Sequence, residues 1–168
     1  VQLGLVGLGI QGWDHRDSSC VYDEDIRANL KSPYLFLSID HNNMQSALQY
    51  CRKALRNMQN DEVFHWIISP DHSARNFEWP VTHYLNQSYT HYVIDCTFID
   101  DQNVRWIIDF KTGSHSGTDV DSFLNNEVVR YQAQLEQYAK VLNTMESRKI
   151  KLGLYFPMLK SFRSWSFN

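Results

Sequence analysis

Asp109 and Lys111 stand two residues apart at the end of the run Trp106-Ile107-Ile108-Asp109-Phe110-Lys111-Thr112-Gly113. A β-strand puts alternate side chains on one face, so these opposite charges share a face with Ile107, while Trp106, Ile108 and Phe110 turn to the other. A charged pair emerging from a strand that is apolar on both faces needs partners or a job. The preceding β-prone run, HYVIDCTF, offers a second carboxylate. If residues 101–103 make the turn, Asp100 pairs with Val104, and the same register sets Asp95 opposite Asp109 with both side chains on one face. A slip of one residue would separate them. Neighbouring carboxylates repel unless a cation joins them, and hard oxygen donors on a rigid scaffold suit Mg²⁺ or Mn²⁺. The Phe110 backbone carbonyl adds a third oxygen. A lysine beside such an ion can position or help deprotonate a water, or stabilise charge developing on a phosphoryl group. Together these groups make a hydrolytic site for a phosphodiester. The competing reading of the same residues is an ordinary strand-end ion pair, with Asp95 capping a turn.

The elements that must position these groups follow from hydrophobic spacing. Met44, Ala47, Leu48, Cys51, Ala54, Leu55 and Met58 recur at helical intervals and predict a helix over 43–58, with Asp40 or Asn42 as its cap. Pro70 and Asp71 mark a turn. Residues 77–85 read as extended, and Pro80 places them at an edge or a bulge. Two β-prone runs around Asp100–Asn103 then form a hairpin. After a polar, Gly-rich connection over 113–121, Val128, Tyr131, Leu135, Tyr138, Leu142 and Met145 make an apolar helical stripe reaching 146. A last strand at 150–156 is stopped by Pro157. The order predicts an α/β domain, a central mixed β-sheet flanked by helices, in one unit spanning 1–168.

The chain has 168 residues, 43% of them hydrophobic, and a net charge of −3, enough for a true core and against disorder. No polybasic arm advertises nucleic acid, although a local patch can hold phosphates in an acidic domain. Cys20, Cys51 and Cys96 are odd in number and widely spaced, against a disulfide framework or zinc knuckle and consistent with a reducing, cytoplasmic setting. Residues 1–40 are poorly defined by pattern. Their glycines, Gly4, Gly7, Gly9 and Gly12, match neither GxGxxG nor a P-loop, and the apolar start has neither the charge pattern of a signal peptide nor the length of a membrane span. With no initiator Met, the sequence reads as the interior of a longer protein. His65, His72, His83, His91 and His115 are scattered, without zinc spacing, and read as surface or turn residues. Cys96 should face away from Asp95 as a small core residue.

The stretches VIDCTFIDDQNVRWIIDFKTG, RYQAQLEQYAKVL and LGLYFPML resemble the RecB-like nuclease family of the PD-(D/E)xK superfamily. The likeness is greatest to the nuclease domain at the C-terminal end of UvrD-type helicase (exonuclease V beta-like) proteins. It covers roughly 65–168, and more faintly 43–58. It implies a restriction-endonuclease-like core. It makes Asp95 and Asp109 the metal-binding carboxylates, Lys111 the catalytic lysine, Gln134 and Tyr138 the family's Q-x-x-x-Y pair that binds DNA, and Glu78 a supporting acid. Tyr131 and Tyr138 lie on the apolar stripe, where a core role is the plain reading of both, with Gln134 just beside it. The implied activity is Mg²⁺-dependent hydrolysis of DNA, with Mn²⁺ as a substitute, on single strands delivered by helicase domains of the same parent chain or by a second subunit, in DNA repair or recombination. Departures accompany it: Tyr92 stands where the family has Gly, Cys96 where close relatives have Arg, and the N-terminal metal-binding His has no match, His15 and His41 both lying in the wrong context. Two alternatives stay open, an inactive nuclease-fold module that binds DNA or braces a helicase, and another metal-dependent hydrolase acting on RNA.

Overall fold

The computed structural model describes residues 41–168 apart from 86, 114 and 116. The Gly-rich start, His15 and Cys20 therefore lie outside the described residues. The first described helix, α1, runs over His41–Gln59. Cys51, Ala54, Leu55 and Met58 are buried along one of its faces, the periodicity expected of an amphipathic helix. A short helix, α2 (Glu62–Ile67), follows and was not expected. Six residues are too few for a periodic signal. Its one sequence mark is Asp61, whose side chain accepts the Val63 N–H at 3.0 Å as an N-cap. The Tyr155 hydroxyl donates to the other oxygen of Asp61 at 2.7 Å and ties this cap to the sheet.

Five strands follow: β1 (Ser73–Leu85), β2 (Ser88–Ile99), β3 (Arg105–Phe110), β4 (Ile150–Phe156) and β5 (Ser161–Ser166), ordered β1-β2-β3-β4-β5, with helix α3 (Val120–Asn143) between β3 and β4. The β3–β4 pair is parallel and the other three are antiparallel. A parallel neighbour needs a crossover, which α3 supplies. The domain is thus α/β with a mixed sheet, as expected, and Pro80 sits on an edge strand. The strand at 150–156 is not the last, however: the chain turns after Pro157 and returns as β5. Its half-buried and exposed residues, three of the six being serine, carry too little apolar signal to be read as a strand.

Helices cover both faces. Cys51, Leu55, Met58, Phe64 and Ile67 pack on Cys96, Phe98, Trp106, Ile108, Phe110 and Tyr155. On the other side Leu124, Leu135, Tyr138, Ala139 and Leu142 pack on Ile94, Ile107, Leu152, Leu154 and Phe156. All of β3 is consequently buried, which explains the apolar run Trp106-Ile107-Ile108 and leaves Arg105 and Asp109 as buried charges toward its two ends. Gly153, paired with Ile108 and Ser164, is required by close approach. A Cβ there would lie 2.6 Å from the Phe162 ring and 2.9 Å from Ile108 Cδ1.

Candidate active site

The β2–β3 register is set by Asp100. Its Oδ1 accepts the N–H groups of Gln102 and Val104 at 3.0 and 2.9 Å, and its Oδ2 accepts Trp106 Nε1–H at 2.8 Å. Asn103 takes the left-handed conformation, φ 59°, which asparagine tolerates well. The Asp100 N–H donates to Val104 O, closing the hairpin at the expected pair. The ladder then runs from Ile99–Arg105 to Cys96–Ile108. The next position sets Asp95 across from Asp109, but no ladder pair forms there. Instead Asp95 Oδ2 accepts the Phe110 N–H at 3.0 Å, so the carboxylate itself closes the hairpin at this end.

Glu78 reaches the same row from β1. The pairs Phe77–Cys96 and Trp79–Ile94 flank it, which places it across from Asp95. Its φ is 46°, a left-handed conformation that costs a non-glycine residue about 1–2 kcal/mol. The same turn of the backbone breaks strand alternation. Phe77 packs on the α1–α2 side, while Trp79 and Val81 pack on the α3 side. Glu78, Asp95 and Asp109 therefore lie side by side across three adjacent strands. Backbone strain of this kind concentrates at functional sites.

Lys111 continues β3 by one register step, its N–H donating to Tyr155 O at 2.8 Å. Its Nζ lies 2.6 Å from Asp109 Oδ2. Both residues are buried, Lys111 at 6% and Asp109 at 2% exposure, so water screens the pair little. Burial, then the neighbouring Asp109 carboxylate, push Asp95 up to about 7, against the opposing pull of the Phe110 N–H. Burial also raises Asp109, with Lys111 opposing the rise.

Helix α3 brings the remaining groups. Gln134 and Tyr138 are one helical turn apart, and Gln134 Nε2 donates to the Tyr138 hydroxyl at 2.7 Å. Burial raises the Tyr138 phenol, and the carboxylates of Asp109 and Asp95 raise it further. This side chain thus lies within electrostatic reach of the acidic pair while also serving the core. Tyr92 meets it edge-on with ring centroids 5.4 Å apart. Tyr131, for which a core role was the plain reading, presents its ring to Lys111, with Nζ 3.7 Å from the centroid. Its place on the apolar stripe concealed this contact, because helical periodicity does not say which strand end a side chain meets.

The donor chemistry fits a hard divalent cation. Asp95, Asp109 and the Phe110 carbonyl are oxygen donors at one strand end, with Asp109 Oδ2 buried against the Lys111 ammonium. Among the described residues no group of three His, Cys, Asp or Glu side chains converges at metal-holding distance, so this set has two carboxylates rather than three. His41 opens α1, but its side chain is not among the described ones. Of the other histidines, His72 sits in the turn before β1 as expected, where it stacks on Phe98 at 4.0 Å and bonds Trp66 O at 2.6 Å. His91 is exposed and bonds Thr82, and His115 stacks on Phe123. Cys51 and Cys96 are free and buried, Cys96 on the face away from Asp109 as expected.

Fold and site together define an α/β domain whose mixed sheet carries paired carboxylates and a lysine at the end of its central strand, compatible with a restriction-endonuclease-like core. No protein-family model matches the chain, and no curated protein matches it. No helix among the described residues is long and apolar enough to cross a membrane.

Proposed function

We propose that this chain is a RecB-like nuclease domain that hydrolyses DNA phosphodiester bonds with Mg²⁺, or Mn²⁺ in its place. One observation carries the reading: the buried Lys111–Asp109 ion pair, with Asp95 on the adjacent strand bonded to the intervening Phe110 N–H. Asp95, Asp109 and the Phe110 carbonyl would hold the ion, which when bound supplies Lewis-acid polarisation of a phosphate oxygen. The Phe110 N–H holds the Asp95 carboxylate in place. Asp109 holds the Lys111 ammonium, which stabilises charge building on the phosphoryl oxygens or orients the attacking water. Gln134 donates to the Tyr138 oxygen, leaving the phenol proton to donate toward a nucleotide.

Single strands suit the remaining surface. Beyond its pairing with β3, the β1–β2 hairpin continues as a two-stranded ribbon. Exposed Tyr84 and Tyr89 lie on it with rings 4.6 Å apart. No Asp, Glu, Lys or Arg occurs between Glu78 and Asp95. Bases stacking there would lead a strand toward the acidic row. Tyr89→Ala is expected to weaken binding of an oligothymidylate roughly tenfold without altering its salt dependence. Fluorescence anisotropy in Ca²⁺ would check this, and unchanged affinity would remove the ribbon from the binding surface. Helicase domains of the same parent chain, or of a second subunit, would deliver such strands in a cytoplasmic setting.

A non-catalytic module that binds DNA or braces a helicase is the second reading. Tyr92 packed on Tyr138 favours it. The test is cleavage of labelled single-stranded DNA and of matched RNA in Mg²⁺ by this chain and by Asp109→Asn. DNA cleavage lost in the variant supports the nuclease. Binding of DNA with no cleavage sinks it and leaves the module, and preference for RNA favours a different hydrolase.

A further inference from the structure

A lysine that must act at one point has a difficulty its own chemistry creates. The ammonium is a compact charge on a flexible four-carbon stem, with considerable rotamer freedom to lose. Asp109 holds it at 2.6 Å through a single carboxylate oxygen. A carboxylate alone therefore fixes how near the ammonium sits better than it fixes where it sits. The second contact comes from α3, where the Tyr131 ring centroid lies 3.7 Å from Nζ, well inside the range at which a ring face attracts a cation. Tyr131 is half-buried among the side chains of the α3-side core, so its ring is anchored by packing. Arg130 also lies over this ring, at 5.2 Å, but its side chain is 68% exposed and paired with Glu127, where solvent screens it. Lys111 is the cation this face holds in a water-poor place.

We propose that Tyr131 is a positioning residue for Lys111: its ring face and the Asp109 carboxylate together fix the ammonium at the strand end. The inference deepens the nuclease reading and takes its reaction from it. An aliphatic side chain at this position fills the same part of the apolar stripe but offers no negative face to a cation. Phenylalanine keeps that face and loses only the hydroxyl.

The test compares this chain with Tyr131→Phe and Tyr131→Leu. In chains carrying ¹³C-labelled lysine, with the Lys111 signal assigned from Lys111→Arg, the Cε protons over a ring face are shifted upfield. That shift is expected to persist in the Phe variant and to vanish in the Leu variant, with thermal melts confirming that both fold. Should Leu unfold the chain, Tyr131→Met takes its place. In the cleavage assay Phe is expected to hold kcat within about twofold, and Leu to lower it roughly tenfold or more with little change in KM, as misplacement of a reacting group does. An ordinary Lys111 shift in the starting chain, or one unchanged by Leu, overturns the proposal, as does equal kcat in the Phe and Leu variants. The shift is read without substrate. If no chain cleaves DNA but the shift behaves as expected, the contact stands and it is the nuclease reading that fails.

Discussion

Lys111→Met is expected to lower kcat for DNA cleavage by about 10²–10³-fold, the loss typical of removing one preorganised charge-stabilising donor. It is also expected to destabilise the chain by about 3–5 kcal/mol at pH 8 without added metal. Methionine keeps most of the apolar stem, so packing on Tyr131 is largely preserved and the change isolates the charge. What remains is the Asp109 carboxylate, 2% exposed, without its counter-ion at 2.6 Å. Most of the penalty is the cost of leaving that carboxylate buried and unpaired rather than the net worth of the pair. The double variant Asp109→Asn with Lys111→Met is therefore expected to recover much of the lost stability while staying inactive. Urea melts of the three chains check this. A Lys111→Met chain that melts with the starting protein would mean that the buried ion pair does not exist as described.

The second large effect is a pH dependence that a divalent cation should reverse. Asp95 sits at about 7 in the folded chain, driven there by burial and then by Asp109, against an ordinary carboxylate value near ~4 in the unfolded chain. Between those values the folded state binds a proton that the unfolded state has released. Stability therefore falls as pH rises through the window, and the loss is complete above the folded value. Asp109, raised in the same direction, adds to the trend. In EDTA, Tm should therefore drop from pH 5 to pH 8. Mg²⁺ should restore part of it at pH 8 and little at pH 5, where protons already relieve the repulsion. Asp95→Asn should flatten the profile and lose the Mg²⁺ response. A Tm that stays level from pH 5 to 8 in EDTA would contradict the close approach of the Asp95 and Asp109 carboxylates.

Much of this site was legible in local pattern. Strand alternation put Asp109 and Lys111 on one face because side chains in a strand alternate whatever the strand packs against. The hairpin register was legible for a similar reason: Asp100 and Asn103 are turn formers, and a short turn dictates the pairing that follows. Helical spacing placed Gln134 and Tyr138 one turn apart, and their hydrogen bond is local to α3. The α/β order of elements was readable too, except where an element was too short or too weakly apolar to announce itself, as with α2 and β5.

The sequence by itself thus determined the contacts that one strand, one turn or one helix makes with itself. Tertiary structure decided those between groups far apart in the chain. The left-handed backbone of Glu78 is sustained by pairing on both sides with β2 and sets a third acid beside Asp95. The Phe110 N–H goes to a side-chain oxygen of Asp95 instead of a ladder partner. Tyr131 meets Lys111 only because the β3–α3–β4 crossover lays that helix face over the end of β3. Periodicity fixes which side of an element a residue occupies, whereas the packing of one element on another fixes what it finds there.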